Sequence, residues 1–397
     1  VTGAILHREP LPAAPAYGRG TIGEVFTSSA AALGLPGFVN ALDLPIARRV
    51  CVVLVDGLGA GLLRQRSGHA PFLRGFLDSA RKIGSVFPST TAAALASLGT
   101  GLPPGQHGLV GYDVLDPAQG KVVNMLGGWD AEVEPARWQP HSTVFERIAA
   151  DVPVTSVGLP RFDNSGLTRA ALRGSTYVAG STPQARVEAV CSALAASEQA
   201  LVYLYLNDLD KTGHRSGSAS PEWGERLEDL DRSMRSLAAK LPPHTLLLLT
   251  ADHGMVDVER RHRIDYSAEP RLTDGVTHTA GEPRMVHLYT DPDLSPSERE
   301  HLVQTWRETY GSRAWILTRA EAISAGLFGS VDPGVEARIG DVLVAAREPV
   351  AFYDTRRVAA SALDVVGQHG SVTRAEREVP LLTLKKPGPA PSRIVGR

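Results

Sequence analysis

Hydrophobic positions along the chain gather into continuous runs. VCVVLV (Val50 to Val55), LVYLYL (Leu201 to Leu206) and TLLLLT (Thr245 to Thr250) show no polar alternation, the pattern of strands buried on both faces of a parallel sheet. Each run stops at a carboxylate: Asp56 after the first, Asp208 and Asp210 after the second, Asp252 followed by His253 after the third. Open parallel sheets bind ligands outside the carboxyl ends of their strands, so these acids are expected to converge on one rim. Between the runs the spacing predicts helices at Ala70 to Ser79, Ser142 to Ala150, Gln184 to Ser197 and Pro221 to Lys240. The last carries Trp223, Leu227, Leu230, Met234 and Leu237 on one face. The alternation argues for an α/β class with a mostly parallel central sheet flanked by helices.

Around this core the pattern loosens. Residues 1–47 read as an N-terminal arm with a turn or linker at PLPAAP and one short helix at Ile22 to Leu33. Residues 48–256 and 341–386 are expected to form the core. Residues 257–340, rich in Pro and Gly, read as a smaller α+β insertion or cap, with a strand at Arg284 to Thr290 and helices near Ser295 to Thr309 and Arg319 to Leu327. DVLVAA (Asp341 to Ala346) is expected to lead back to the core, and VPLLTL (Val379 to Leu384) to be the last strand. The tail 387–397 is expected to be disordered.

Composition adds exclusions. A formal charge of −2 over 397 residues gives no basic bias toward nucleic acid or membrane. A small-molecule substrate is the expected partner, with no nucleic-acid polymer and no membrane; the oligomeric state is not announced. The two cysteines, Cys51 in an apolar run and Cys191 in a predicted helix, give no disulfide framework and no CxxC metal spacing, and both are expected to be buried structural thiols. The N-terminus lacks the charged and apolar regions of a signal peptide, and no apolar run reaches membrane-spanning length. A cytoplasmic location follows as the expectation, unless a leader has been removed.

The candidate chemistry lies in RKIGSVFPSTTAAALASLGTG, Arg81 to Gly101, where Ser89, Thr90 and Thr91 precede an Ala/Leu helix. A hydroxyl there sits among free backbone N–H groups that favour an anion, although helix capping alone would use the same residues. Asp56, Asp210, His214, Asp252, His253 and His369 together form the mixed Asp/His set that two adjacent divalent metals need. In DKTGH the acid and the imidazole are four apart with Gly213 between them, which argues for a loop wrapping a metal over one face of a helix. Asp208 competes with Asp210, but the Asp-x-x-x-His spacing favours Asp210. His107 reads as structural, His262 and His278 as surface histidines, and Arg260 to Arg263 as an exposed basic turn. The glycines of DGLGAG lack the dinucleotide spacing.

The ordered motifs VLVDGLG, FPSTTAAALASLGTGLPPGQHG, DLDKTGH, TADHG and GQHG, spread from Val50 to Leu384, resemble the alkaline phosphatase superfamily, in particular its nucleotide pyrophosphatase/phosphodiesterase branch. The resemblance implies an alkaline-phosphatase-like fold. It also implies one zinc on Asp210, His214 and His369 and a second on Asp56, Asp252 and His253, with manganese or iron as substitutes. Thr91 would be the nucleophile bound to the second metal, with Thr90 and Ser89 as rivals. The implied reaction is hydrolysis of phosphodiester or pyrophosphate bonds through a phospho-threonine. A phosphomonoesterase or phosphonate hydrolase could use the same site, and a relative that binds phosphorylated ligands without turnover is the non-enzymatic alternative. Two departures stand out: Tyr112 occupies the place of the branch's phosphoryl-binding asparagine, and Ala92, Ala93 and Ala94 replace its Phe-Pro-Asn. Tyr112 and Thr90 are the candidate substrate contacts, and a nucleotide substrate is not indicated.

Overall fold

A computed structural model of the chain describes residues 10–129 and 132–388. The first nine residues of the arm, and the expected disordered tail from 389 on, lie outside the described residues. The three apolar runs form the middle of a seven-stranded sheet with the order Arg81–Gly84, Glu378–Lys385, Thr245–Thr250, Arg49–Val55, Ala200–Leu206, Val154–Gly158, Thr176–Ala179. Glu378–Lys385 runs antiparallel to both neighbours, and the other pairings are parallel. Val55 lies opposite Leu206, and Leu54 opposite Thr250. This register delivers Asp56, Asn207 and the Asp252–His253 pair to one rim.

Helices cover both faces. Pro221–Lys240 spans the predicted residues, its first turn capped by the Ser220 side chain, and it buries Trp223, Leu227, Leu230, Met234 and Leu237. The helix expected at Ala70 to Ser79 is a single turn, Pro71–Arg74, closed at Gly75. Its Phe72 and Leu73 N–H groups, which no helix can satisfy internally in its first turn, donate to the Asp231 carboxylate of the long helix. The arm contributes Glu24–Ala32, whose Phe26 is fully buried with its ring 4.6 Å from Phe145 and 5.4 Å from Tyr203. Cys51 is buried as expected, whereas Cys191 is only partly so, because it lies on the helix flank between the apolar stripe and solvent.

A smaller antiparallel sheet has the order Val276–Glu282, Met285–Thr290, Val342–Ala346, Ala314–Thr318. Trp306 and Leu302 of the helix Pro296–Tyr310 share a separate core with Val344 and Phe352. The strand expected to re-enter the main core at Asp341 to Ala346 is instead an inner strand of this sheet. VLVAA is buried on both faces, and its inner position gives it a pairing strand on each edge. The tip of the hairpin between Val276–Glu282 and Met285–Thr290 reaches the main core. Fully buried Arg284 donates to both oxygens of fully buried Glu376, at 2.7 and 2.8 Å, and to the Glu348 and Val350 carbonyls, each at 2.9 Å. Glu376 also accepts from the Ser371 N–H at 2.9 Å. The described residues contain no helix long and apolar enough to cross a membrane.

Candidate active site

At the rim, Asp56 leaves the strand Arg49–Val55, and Asp252 and His253 follow Thr245–Thr250. Asp210 and His214 lie on Asp208–Ser216, which is a helix and not the loop expected from Gly213. The glycine is there for space: a Cβ on Gly213 would lie 2.3 Å from the Met255 sulfur. Asp210 and His214 therefore share one helix face, with His214 Nε2 3.3 Å from Asp210 Oδ1. His369 follows the short strand Gly367–Gln368.

The structure gathers these residues into two overlapping groups able to hold a metal ion: Asp56, Asp252 and His253, and Asp210, His253 and His369, with ligand atoms within 4.8 Å of one another in each. His253 belongs to both, and its ring stacks on His369 with centroids 3.6 Å apart. His214 stands at the edge of the second group through its contact with Asp210. Every one of the three imidazoles has Nδ1 on a backbone carbonyl: His214 on Gly367 at 2.7 Å, His253 on Gly254 at 2.9 Å, His369 on Ser89 at 3.0 Å. A proton held at Nδ1 leaves the Nε2 lone pair for the cavity, the arrangement by which metal-binding histidines are oriented. The Gly57 and His253 N–H groups fix Asp252 Oδ1, while its buried Oδ2 accepts no hydrogen bond. An unpartnered carboxylate oxygen beside imidazole lone pairs is a donor set that fits a bound divalent cation.

The electrostatics agree. Burial, then the charges of Asp252 and Asp210, pushes the Asp56 carboxyl well above the usual range. Burial works against ionisation of Asp210 too, yet His214 holds it well below that range. His214 is opposed by burial but raised to about 9 by Asp210, whereas burial and the neighbouring His253 push His369 well below an ordinary imidazole. Among the described residues, the three carboxyl groups thus meet with only histidines as ion-pair partners.

Thr91 opens the helix Thr91–Thr100, and Thr90 sits at its N-cap with an extended backbone, but no side chain caps the helix. Thr91 Oγ1 lies 3.1 Å from His253 Nε2 and 3.5 Å from Asp56 Oδ1. Ser89 is engaged elsewhere, donating to the Ser371 carbonyl at 2.6 Å. Thr90, Thr91 and Tyr112 line a cleft of about 590 Å³ together with Asp56, Asp210, His214 and His369. Aromatic rings of Phe162, Tyr205, Tyr266 and Phe352 form much of its remaining wall, and Arg161 and Arg357 reach it.

The residues set aside in the sequence lie apart. His107 packs against Ser97 Oγ at 2.9 Å, and burial pushes it down to about 3. Asp208 faces Arg186, and His278 faces the Gly120 carbonyl. Exposed Arg260 and Arg261 pair with Asp364 and Glu259, and His262 lines a separate shallow groove.

The profile of the type I phosphodiesterase/nucleotide pyrophosphatase family matches residues 50–372. The chain belongs to that family. Among curated relatives, a phosphopentomutase of Anaeromyxobacter sp. (strain K) is 35% identical over 142 residues, 34% of this chain and 33% of the relative. Human ectonucleotide pyrophosphatase/phosphodiesterase family member 7 is 34% identical over 83 residues, 20% of this chain and 18% of the relative. The chain thus spans a third or less of the length of these relatives. Among solved structures, murine ectonucleotide pyrophosphatase/phosphodiesterase 5 superimposes with a TM-score of 0.65 at 18% identity, covering 84% of this chain and 87% of that one. Phosphonoacetate hydrolase from Sinorhizobium meliloti 1021, in complex with phosphonoformate, gives 0.67 at 20% identity, covering 88% and 93%. These likenesses place the fold in the alkaline-phosphatase-like class.

Sequence reasoning missed several neighbours of the candidate site. Tyr205 donates its hydroxyl to Asp56 Oδ2, and Ser85 donates to the Asp252 carbonyl. Tyr205 was accessible in principle: it pairs with Leu54 on the adjacent strand, two positions from Asp56. Asp113, paired with Arg357, and Glu282 of the smaller sheet had no local signal.

Proposed function

We propose that the protein is a phosphoryl-transfer enzyme, and specifically a two-metal hydrolase of phosphodiester or pyrophosphate bonds with Thr91 as nucleophile. The observation that carries this reading is the position of Thr91 Oγ1, at an uncapped helix start in the cleft wall and within reach of Asp56 and His253. Zinc held by Asp210, His214 and His369 and by Asp56, Asp252 and His253 would supply positive charge that neutralises the phosphoryl group and eases ionisation of the Thr91 hydroxyl. Manganese or iron suits the same donors.

The chain's own groups do the rest. The Asp56 carboxylate accepts the Thr91 hydroxyl and aims it into the cleft. The dipole of the helix that Thr91 opens would favour phosphoryl oxygens brought to its start. The Thr91 oxygen bonds to phosphorus as the bond to the leaving oxygen breaks and the hydroxyl proton departs to solvent. Water then cleaves the phospho-threonine, restoring the hydroxyl and releasing the phosphoryl product. The cleft volume suits a small-molecule phosphate ester.

The test is Thr91→Ala. Hydrolysis of bis-p-nitrophenyl phosphate should fall on the order of 10³-fold or more, while zinc content by atomic emission stays at the parent value. Retained turnover would move the nucleophile to Thr90 or to water attacking directly.

A further inference from the structure

Glu282 ends the strand Val276–Glu282 at the hairpin tip and is 6% exposed, yet its side chain lines the cleft beside Thr90 and Thr91. Neither of its carboxyl oxygens accepts a well-formed hydrogen bond: the buried Thr90 hydroxyl faces the carboxyl as a long, weak donor, and neither group has another partner among the described residues. The carboxyl is wedged in place: a Cβ on Gly370, whose φ is +125°, would lie 2.5 Å from Glu282 Cδ. The nearby cations are spent, Arg284 on Glu376 and Arg357 on Asp113. Leaving buried polar atoms unmatched is costly, and native proteins keep such groups where something from outside completes them.

We infer that Glu282 and Thr90 form a subsite for a hydrogen-bond donor, best a primary ammonium group, carried by the substrate on the substituent at phosphorus. The carboxyl presents its oxygens to the cleft, and its ionised, acceptor-only form is the one that an ammonium group would stabilise there. An ammonium group brings several donors and the positive charge that no side chain among the described residues supplies there. Because Thr90 immediately precedes Thr91, a group held at this subsite sits next to the phosphoryl group and not at the far end of the cleft. This inference rests on the proposed function and narrows its substrate class.

The experiment compares binding of 2-aminoethylphosphonate and ethylphosphonate to the zinc-loaded protein by titration calorimetry. The amine should bind about tenfold or more tightly, as expected when a site built for a donor meets an analogue lacking it. Glu282→Gln and Glu282→Ala should each collapse that ratio toward one, and zinc uptake equal to the parent's verifies that the variants are folded. No preference in the parent, or a preference surviving in both variants, overturns the subsite. Absence of binding by either phosphonate overturns it together with the phosphoryl reading. A preference without hydrolysis of bis-p-nitrophenyl phosphate sinks the hydrolase reading and leaves the subsite standing.

Discussion

At the scale of single residues, the site depends as much on what holds the donors as on the donors. Asp56, Asp210, Asp252, His253 and His369 were legible because each ends an apolar run or sits in a short His-Gly or Asp-His motif. Their supports were not, because the partners of the three Nδ1 atoms are backbone carbonyls, which any residue can offer. Tyr205 is the support most open to test. Removing its hydroxyl with Tyr205→Phe leaves Asp56 Oδ2 without its donor, and zinc affinity should weaken about 10- to 100-fold, read by competition with a chromogenic chelator. Asp252→Asn should cost one metal and the activity with it, visible as a lower zinc content in the purified variant.

At the scale of elements, packing decided what local pattern could not. Gly213 suggested a loop, but the close approach of Met255 explains a glycine inside a helix. Gly99 makes the same point in the helix that presents Thr91. A Cβ there would lie 1.7 Å from the Ala171 carbonyl oxygen on the neighbouring helix Gly166–Ala171. Gly99→Ala should therefore destabilise by about 1–3 kcal/mol despite the better helix propensity of alanine, measurable as a lower urea midpoint. His107, which joins this helix to the turn after it, sets a pH dependence. Burial lowers its folded-state pKa from 6.5 to about 3, so below pH 6.5 the unfolded chain binds the extra proton. Stability should fall as pH drops from 6.5 toward 3, by up to about 1.4 kcal/mol per pH unit from this group. Buried His287, lowered likewise, adds to the slope. Urea denaturation at several pH values should show a flatter slope for His107→Gln.

At the scale of the molecule, the parallel sheet and its rim followed from three apolar runs, whereas Val154–Gly158 and Thr176–Ala179 did not. VTSVG and TYVA are short and mix polar residues into the run, which breaks the continuous apolar pattern that marked the other three strands; of the two, only Thr176–Ala179 is an edge strand, and it is partly exposed. The inner place of Val342–Ala346 escaped notice because pairing partners distant in sequence leave no mark on the strand itself. A site assembled from both ends of the chain ties metal binding to global stability. Zinc at a hundredfold over its dissociation constant should raise unfolding free energy by about 2.7 kcal/mol for each site, and a chelator should lower the melting temperature accordingly. The buried Arg284–Glu376 pair has a consequence for traffic through the cleft. Swinging the smaller sheet outward would strand two charges in a dry interior, at a cost of about 3–5 kcal/mol for an uncompensated partner. The roof over Thr91 is bolted down, so on the proposed function ligand exchange should not wait on an outward swing of this sheet.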